Sequence, residues 1–307
     1  NVKQDFQYYL NSENTIKFGV QGIYHRFVPG RVSSNGSFIN GLEVPMRRAY
    51  ESGVYVSNDQ TIRNLKLSYG VRLSMFNHVG KQEVYSYDAN GNTIDSAKYQ
   101  FGQIIKTYVG LEPRFGITYV LNDEQSIKAS YNRAYQYMHL LSASTGGNPT
   151  DICVTSTNNV KPNISDQAAA GFFQNLFNNK YEASGEIYYK WMQNQIDYKD
   201  GAELTANADV ESELLYGKGR AYGLELYGKK TKGKFTGWIS YTLSKTERQF
   251  DQINNGKYFN ARQDRTHDLA LVGMYNLGRR WSVSANYIYS TGNAVTYPAG
   301  KYNIGGL

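Results

Sequence analysis

The chain has 307 residues, a formal net charge of +7 and one cysteine, Cys153. No run of about 18 apolar residues occurs, which excludes a transmembrane helix, and a lone cysteine excludes an internal disulfide or a paired-cysteine metal site. Lysines and arginines are spread along the chain rather than clustered, so no nucleic-acid partner is expected.

Short segments in which apolar and polar residues alternate follow one another along the chain. Twelve such runs can be counted, the clearest being residues 5–10, 16–24, 65–75, 111–121, 127–137, 181–191, 235–243 and 281–290. In the last of them Trp281, Val283 and Ala285 share one face, because side chains of a strand alternate with period two. An amphipathic helix would instead need apolar residues three and four apart. The pattern therefore predicts antiparallel β-strands.

The connections between these runs alternate strictly between short and long. Tight, turn-forming links are expected at residues 11–14, 58–60, 122–124, 178–180, 231–233 and 276–278, and long ones at 29–45, 77–103, 142–165, 200–216 and 249–263. This places every short turn at one end of the strands and every long loop at the other. Bacterial outer-membrane barrels have this arrangement, with short periplasmic turns and long extracellular loops. The 28 tyrosines suit the aromatic girdles of such a barrel.

The predicted fold is thus all-β, an antiparallel transmembrane β-barrel in which residues 1–307 form a single unit. The strand directions place both Asn1 and Leu307 on the extracellular side, whereas complete barrels usually enter and leave from the periplasm. We therefore expect a segment of a larger barrel, lacking the remaining strands. A complete twelve-stranded barrel with unusual termini is the alternative.

Local motifs give no cofactor and no metal site. Residues 88–92 (DANGN) begin like a calcium loop, but Thr93 and Tyr99 occupy the positions where Gly and a bidentate Glu are needed. The Asn90–Gly91 pair instead predicts a small hairpin in this loop, and a second is expected around residues 255–256.

No catalytic residue is predicted. His267 and Asp268 are the closest candidate pair, yet neighbours in a strand point to opposite faces. Pro113 shares the apolar parity of Leu111 and Phe115, so we expect it to face lipid and to cause a bulge or a missing hydrogen bond. Glu112, Arg114 and the acidic residues Glu182 and Glu186 are then expected to face the lumen.

Several stretches resemble a known family. Residues 111–117 (LEPRFGI) and 127–133 (IKASYNR) resemble the barrel of TonB-dependent receptors. Residues 137–142 (YMHLLS), 160–167 (VKPNISDQ), 219–225 (GRAYGLE), 265–268 (RTHD) and 291–296 (TGNAVT) are similar to its Bacteroidetes branch. The resemblance covers roughly residues 53–302.

The resemblance implies a barrel of about 22 strands with a plugged lumen, in the bacterial outer membrane. Such receptors import a scarce nutrient (siderophore, cobalamin, oligosaccharide or peptide) when a TonB complex moves the N-terminal plug. This sequence contains no recognisable plug or TonB box. The implied partners are outer-membrane lipid, the TonB complex through that absent plug, a small solute and a surface lipoprotein.

Candidate ligand contacts are the aromatic and basic residues near the ends of the long loops. His139 shares the parity of apolar residues in its run, which indicates that the strand has left the bilayer there. The full set is Arg47, Arg48, Tyr137, His139, Tyr258 and Arg262. A passive porin, an outer-membrane hydrolase and a soluble β-sandwich remain the alternatives to a receptor.

Overall fold

A computed structural model describes residues 1–28, 31–32, 42–43, 46–88, 91–141, 152–199, 202 and 210–294. The described strands are β1 (Val2–Asn11), β2 (Asn14–Phe27), β3 (Arg31–Val32), β4 (Leu42–Glu43), β5 (Arg47–Ile62), β6 (Leu65–Val79), β7 (Gln82–Tyr87), β8 (Thr93–Tyr99), β9 (Ile104–Asn122), β10 (Gln125–Gln136), β11 (Met138–Leu141), β12 (Ile152–Thr155), β13 (Asn163–Leu176), β14 (Tyr181–Tyr198), β15 (Leu214–Lys230), β16 (Phe235–Gln249), β17 (Phe259–Asn260), β18 (His267–Asn276) and β19 (Ser282–Ser290). Two short 3-10 helices cover Val210–Glu213 and Asn254–Gly256. Within these ranges no helix is long and apolar enough to cross a membrane.

The long strands form one antiparallel sheet in sequence order, β1-β2-β5-β6-β9-β10-β13-β14-β15-β16-β18-β19, and β17 adds to β16 as its thirteenth strand. The prediction of twelve antiparallel strands is confirmed. The remaining short strands form the separate hairpins β3–β4, β7–β8 and β11–β12. In the described part of the chain, no ladder joins β1 to β19.

One predicted turn is wrong. Residues 58–60 lie inside β5, and the turn follows at Arg63, whose φ is 52°. Asp59 is held in the sheet by its neighbours, because its carboxylate accepts hydrogen bonds from Lys17 Nζ at 2.7 Å and Ser68 Oγ at 2.6 Å. Polar residues that resemble turn formers are here cross-strand partners.

The sheet has two chemically distinct faces. Register aligns Leu73 with Leu111 and Tyr69 with Phe115, and side chains of this parity, exposed on what we call the apolar face, continue across the sheet. The opposite, polar face carries ion pairs such as Lys229–Glu182 at 3.4 Å. Pro113 lies on the apolar face, opposite Val71, whereas Glu112 and Arg114 have the other parity. The predicted division of these residues between an apolar and a polar face is therefore confirmed, whereas their contact with lipid or lumen stays a prediction.

Aromatic side chains on the apolar face concentrate near both ends of the strands. Towards the long loops the rings of Tyr24 and Tyr50, both exposed, have centroids 5.2 Å apart. Towards the short turns the exposed rings belong to Phe235, Tyr275 and Trp281, and Phe177 is exposed in the turn that follows β13. This distribution is typical of membrane-interface girdles.

Of the two effects expected of Pro113, a bulge or a missing hydrogen bond, the structure shows the second. Its register with β6 is continuous, but the β9–β10 ladder ends at the Arg114–Asn132 pair, one position before Pro113. Because proline has no backbone N–H to donate, the ladder stops where that donor is missing. The end of β10 then separates from β9.

Several strands extend further towards the long loops than the sequence predicts. β9 begins at Ile104 and β14 ends at Tyr198, because residues outside an apolar band need not alternate. The β7–β8 hairpin is confirmed, although Asn90 at its turn lies outside the described residues. Around residues 255–256 a short ladder pairs Phe259 with Arg248. The predicted position of Leu307 also lies outside the described residues.

Candidate functional site

Tyr137 anchors the end of β10 beneath the loops. Its ring stacks on Phe76 at 4.9 Å, and its hydroxyl lies 2.7 Å from Ser74 Oγ. Tyr137 follows the last residue of β10 and is only 4% exposed. Burial raises the pKa of this phenol to about 12, so it stays neutral and serves as a hydrogen-bonding and packing group.

His139 is a buried histidine of the loop hairpin. It pairs with Val154 across β11 and β12, and its Nε2 lies 3.4 Å from Ser156 Oγ. Its Nδ1 has no hydrogen-bond partner among the residues that the structure describes. Burial lowers the pKa of His139 to about 4, which keeps the imidazole uncharged near neutral pH.

Glu211 joins segments from four parts of the chain. Its carboxylate lies 2.6 Å from Arg47 Nη1, and it accepts hydrogen bonds from Thr157 Oγ1 at 3.0 Å and Asn159 Nδ2 at 2.8 Å. The Asn159 amide also donates to the Tyr85 carbonyl at 2.9 Å. We call these five residues the loop-tie cluster. The charged pair is largely buried, with side chains 11% and 9% exposed, so its geometry is well shielded from water.

A cavity of about 660 Å³ opens beside the loop-tie cluster. Arg47, Arg48, Lys81, Tyr85 and Phe101 contribute to its walls. Arg48 lies 5.4 Å from the centre of the Phe101 ring, a cation–π distance. With Arg47 compensated by Glu211, the remaining charged residues of the lining are Arg48, Lys81 and Glu83. The two basic side chains outnumber the acidic one, so the cavity carries an excess of positive charge. Cationic and aromatic walls together suit an anionic or aromatic solute.

The structure separates the six predicted contact residues. Arg47 and Arg48 line this cavity, whereas Tyr137 and His139 are buried beneath the loops. Tyr258 packs elsewhere, 4.1 Å from the guanidinium carbon of Arg220. Arg220 in turn lies 2.7 Å from Glu247 on the apolar face.

Arg262 is half-buried in the segment between β17 and β18. The six residues therefore do not form one site, and ligand contact at each of them stays a prediction. Sequence reasoning missed Glu211, Thr157 and Asn159, which lie far from Arg47 along the chain. The sequence signal nearest to Thr157 and Asn159 is the polar run at residues 155–159 (TSTNN), which is typical of a hydrogen-bonded loop.

Two further histidines contact polar side chains of neighbouring strands. His267 Nδ1 lies 2.8 Å from the Tyr241 hydroxyl, and His25 Nε2 lies 3.1 Å from Glu51. No group of three or more His, Cys, Asp or Glu within the described ranges could hold a metal ion.

A family model described as "TonB dependent receptor-like, beta-barrel" matches residues 1–306. No curated protein matches the chain significantly. Among solved structures, the chain is similar to the FrpB iron transporter from Neisseria meningitidis (F3-3 variant), with 14% identity and a TM-score of 0.61 over 92% of this chain and 41% of that one.

Two further structures have the same fold. The alcaligin outer-membrane receptor FauA from Bordetella pertussis has 15% identity and a TM-score of 0.57 over 94% of this chain and 45% of that one. The copper transporter OprC has 13% identity and a TM-score of 0.61, over 93% and 43%. The chain thus spans 41–45% of the length of these structures, and at such identities the likeness concerns the fold alone.

Proposed function

Because the chain belongs to the TonB-dependent receptor-like β-barrel family, we propose that it is the barrel segment of an outer-membrane receptor that imports a scarce solute with energy from a TonB complex. In this proposal residues 1–307 are part of a larger barrel, whose lumen holds a plug domain and whose long loops are extracellular. The modest share of each solved structure that the chain covers supports a larger whole, 41% in the first case.

The observation that carries the proposal is the cavity at the loop end. Arg48, Lys81 and Phe101 give it a cationic and aromatic lining, and the loop-tie cluster holds its walls in place. A preorganised pocket at the loop end is where an incoming solute would first be captured.

We propose an anionic metal–chelate complex as the solute class. The cationic lining favours such a ligand over a neutral oligosaccharide or cobalamin. Several structures with this fold are described as handling metals, among them a ferric-catecholate import receptor, Fiu, and the receptor FpvA bound to an iron–pyoverdine complex. A Bacteroidetes-type source and a surface lipoprotein partner rest on the sequence resemblance alone and stay predictions.

Uptake of radiolabelled ferric catecholate by cells producing the full-length protein tests this function. We expect uptake that stops when a protonophore collapses the proton gradient, and weaker binding in the double variant Arg48→Gln/Lys81→Gln. Removing both charges should lower the affinity by about a hundredfold or more, since charged hydrogen bonds contribute about 1.5–3 kcal/mol each. Lys66→Gln, an exposed lysine at the turn end of β6, is the matched control.

Three results would contradict the proposal. Uptake that persists without a proton gradient, together with large constant conductance in planar bilayers, would indicate a passive porin. Cleavage of a lipid or peptide by the folded protein would indicate a hydrolase. Solubility without detergent would indicate a β-protein outside the membrane.

A further inference from the structure

A groove of about 880 Å³ crosses the sheet between β14 and β19, near the short turns. Its sides include the aromatic rings of Tyr181, Phe235 and Tyr287. Register places small residues between these rings, all with apolar-face parity: Ala183, Gly228, Gly237, Gly273 and Ala285. The groove is therefore an indentation of the surface that faces lipid in an outer-membrane barrel.

The groove is deep because several of its residues are glycines, which have no side chain, and larger side chains beside them pack against the glycine backbone. A Cβ atom at Gly273 would lie 3.2 Å from the Phe235 ring, and one at Gly228 would lie 3.3 Å from Ile239 Cγ2. These larger side chains thus pack close over glycine backbone. The remaining space runs between them as an apolar channel with few polar atoms.

Positive charge surrounds the turn end of this groove. Lys230 Nζ lies 5.6 Å from the centre of the Phe235 ring and 5.9 Å from that of Tyr181, and Lys180 Nζ lies 5.7 Å from Tyr181. The adjoining turn segments 177–181, 231–234 and 277–281 contain no Asp or Glu. Their basic residues are Lys180, Lys232, Lys234, Arg279 and Arg280. The nearby acid Glu182 lies on the polar face and pairs with Lys229.

We propose that this groove binds one anionic phospholipid, with an acyl chain along the small residues and the phosphate at Lys180 and Lys230. Apolar depth accounts for the acyl chain, the aromatic rings mark the level of the interface, and the basic cluster complements a negative headgroup. A phospholipid is chosen over lipopolysaccharide because the short turns of outer-membrane barrels are periplasmic, where the leaflet is phospholipid. The inference requires only that the sheet spans the membrane, so its failure would leave solute import untouched.

Native mass spectrometry of the full-length protein in detergent tests the site, with phosphatidylglycerol and phosphatidylcholine as probes. We expect one phosphatidylglycerol to remain bound and phosphatidylcholine to dissociate. Replacing Lys180 or Lys230 by Gln should weaken phosphatidylglycerol binding by about fivefold for each lysine. Both side chains lie near the turns, so the fold should survive, which gel mobility of the unheated protein checks.

Three further variants separate the effect of groove shape from that of charge. Ala285→Phe should fill the groove and abolish retention while leaving every lysine in place. Ala170→Phe adds the same ring to the apolar face of β13, outside the groove, and Lys66→Gln removes a lysine at a distant turn; both should retain the lipid.

Equal retention in all variants would overturn the proposal, because it would indicate general annular lipid only. Equal binding of phosphatidylcholine, tighter binding of lipid A, or a dimer that Ala285→Phe dissociates would overturn it as well. Each of these results assigns the groove to a different occupant.

Discussion

At the scale of single residues, Glu211 is the most consequential side chain of the loop end. One carboxylate accepts hydrogen bonds from Thr157 and Asn159 and pairs with Arg47 at 2.6 Å. A buried ion pair gives little net stability, but removing one partner leaves an uncompensated charge. Its function here is to hold four chain segments in one arrangement.

We predict that Glu211→Ala opens the loop-tie cluster. The unpaired Arg47 should cost about 3–5 kcal/mol of local stability, because the guanidinium stays largely buried. Hydrogen exchange at the backbone amides of residues 157–160 and 210–213 measures the loss. The control is Glu83→Gln, which removes an exposed pair with Lys98 at 3.8 Å and should change exchange little. Unchanged protection in Glu211→Ala would contradict the assigned role.

The buried His139 predicts that the β11–β12 hairpin weakens in acid. Burial lowers the pKa of His139 from 6.5 to about 4, so the unfolded hairpin binds a proton more readily. The stabilising contribution is complete above pH 6.5 and is lost progressively as pH falls from 6.5 towards 4. The total loss is about 3 kcal/mol, at 1.36 kcal/mol per pKa unit.

Hydrogen exchange at residues 138–141, corrected for its intrinsic pH dependence, measures this loss. His139→Gln should abolish the pH dependence in that window, whereas Ser156→Ala should preserve it. A wild-type hairpin equally protected at pH 5 and pH 8 would exclude the mechanism.

At the scale of elements, the separation of β10 from β9 shapes the loop end. The ladder ends one residue before Pro113, and Tyr135 then occupies the space above Gly110. Tyr137 can therefore reach Phe76 and Ser74 on the polar face. Pro113 of β9 would weaken an ordinary inner strand. Here it marks the point at which the neighbouring strand, β10, leaves the sheet towards the polar face.

We predict that Gly110→Ala disturbs this inward turn. A Cβ at Gly110 would lie 2.8 Å from Ser74 Oγ and from the Cγ and Cδ2 atoms of Tyr135. Because the Tyr135 ring is held by packing and cannot move away without losing contacts, we expect about 1–3 kcal/mol of strain. The midpoint of heat-induced gel-mobility change measures it. Gly116→Ala, where an added Cβ meets its nearest atom at 3.7 Å, is the control; equal midpoints would count against the predicted crowding.

Sequence periodicity predicted the strands well because lipid and lumen select opposite chemistries at alternate positions. It failed where that selection is absent. Asn58 and Asp59 look like turn formers, yet they hydrogen-bond to Tyr69 and Ser68 across strands. Partners such as Arg47 and Glu211 meet only through tertiary structure, so no local pattern could predict the loop-tie cluster.

At the scale of the whole molecule, the two faces of the sheet differ in how well they tolerate a charged substitution. Leu111→Arg places a charge on the apolar face, where we predict a cost of about 2–4 kcal/mol. Ser130→Arg places the same side chain on the polar face, opposite Gly116 and Ala169, and should be nearly neutral. Denaturant unfolding of the full-length protein in lipid vesicles measures both. Similar costs at both positions would refute the assignment of faces.

The neighbour-by-neighbour order of the sheet has a consequence for folding kinetics. Each long strand pairs with the one before it and the one after it along the chain, so no long crossover must form before a ladder can begin. Contacts that are close in sequence lose less loop-closure entropy and form faster. The sheet can grow by adding one hairpin at a time to its latest edge. The same hairpin is then a natural unit for duplication or loss during evolution, since its removal lets the two flanking strands meet in the same antiparallel sense.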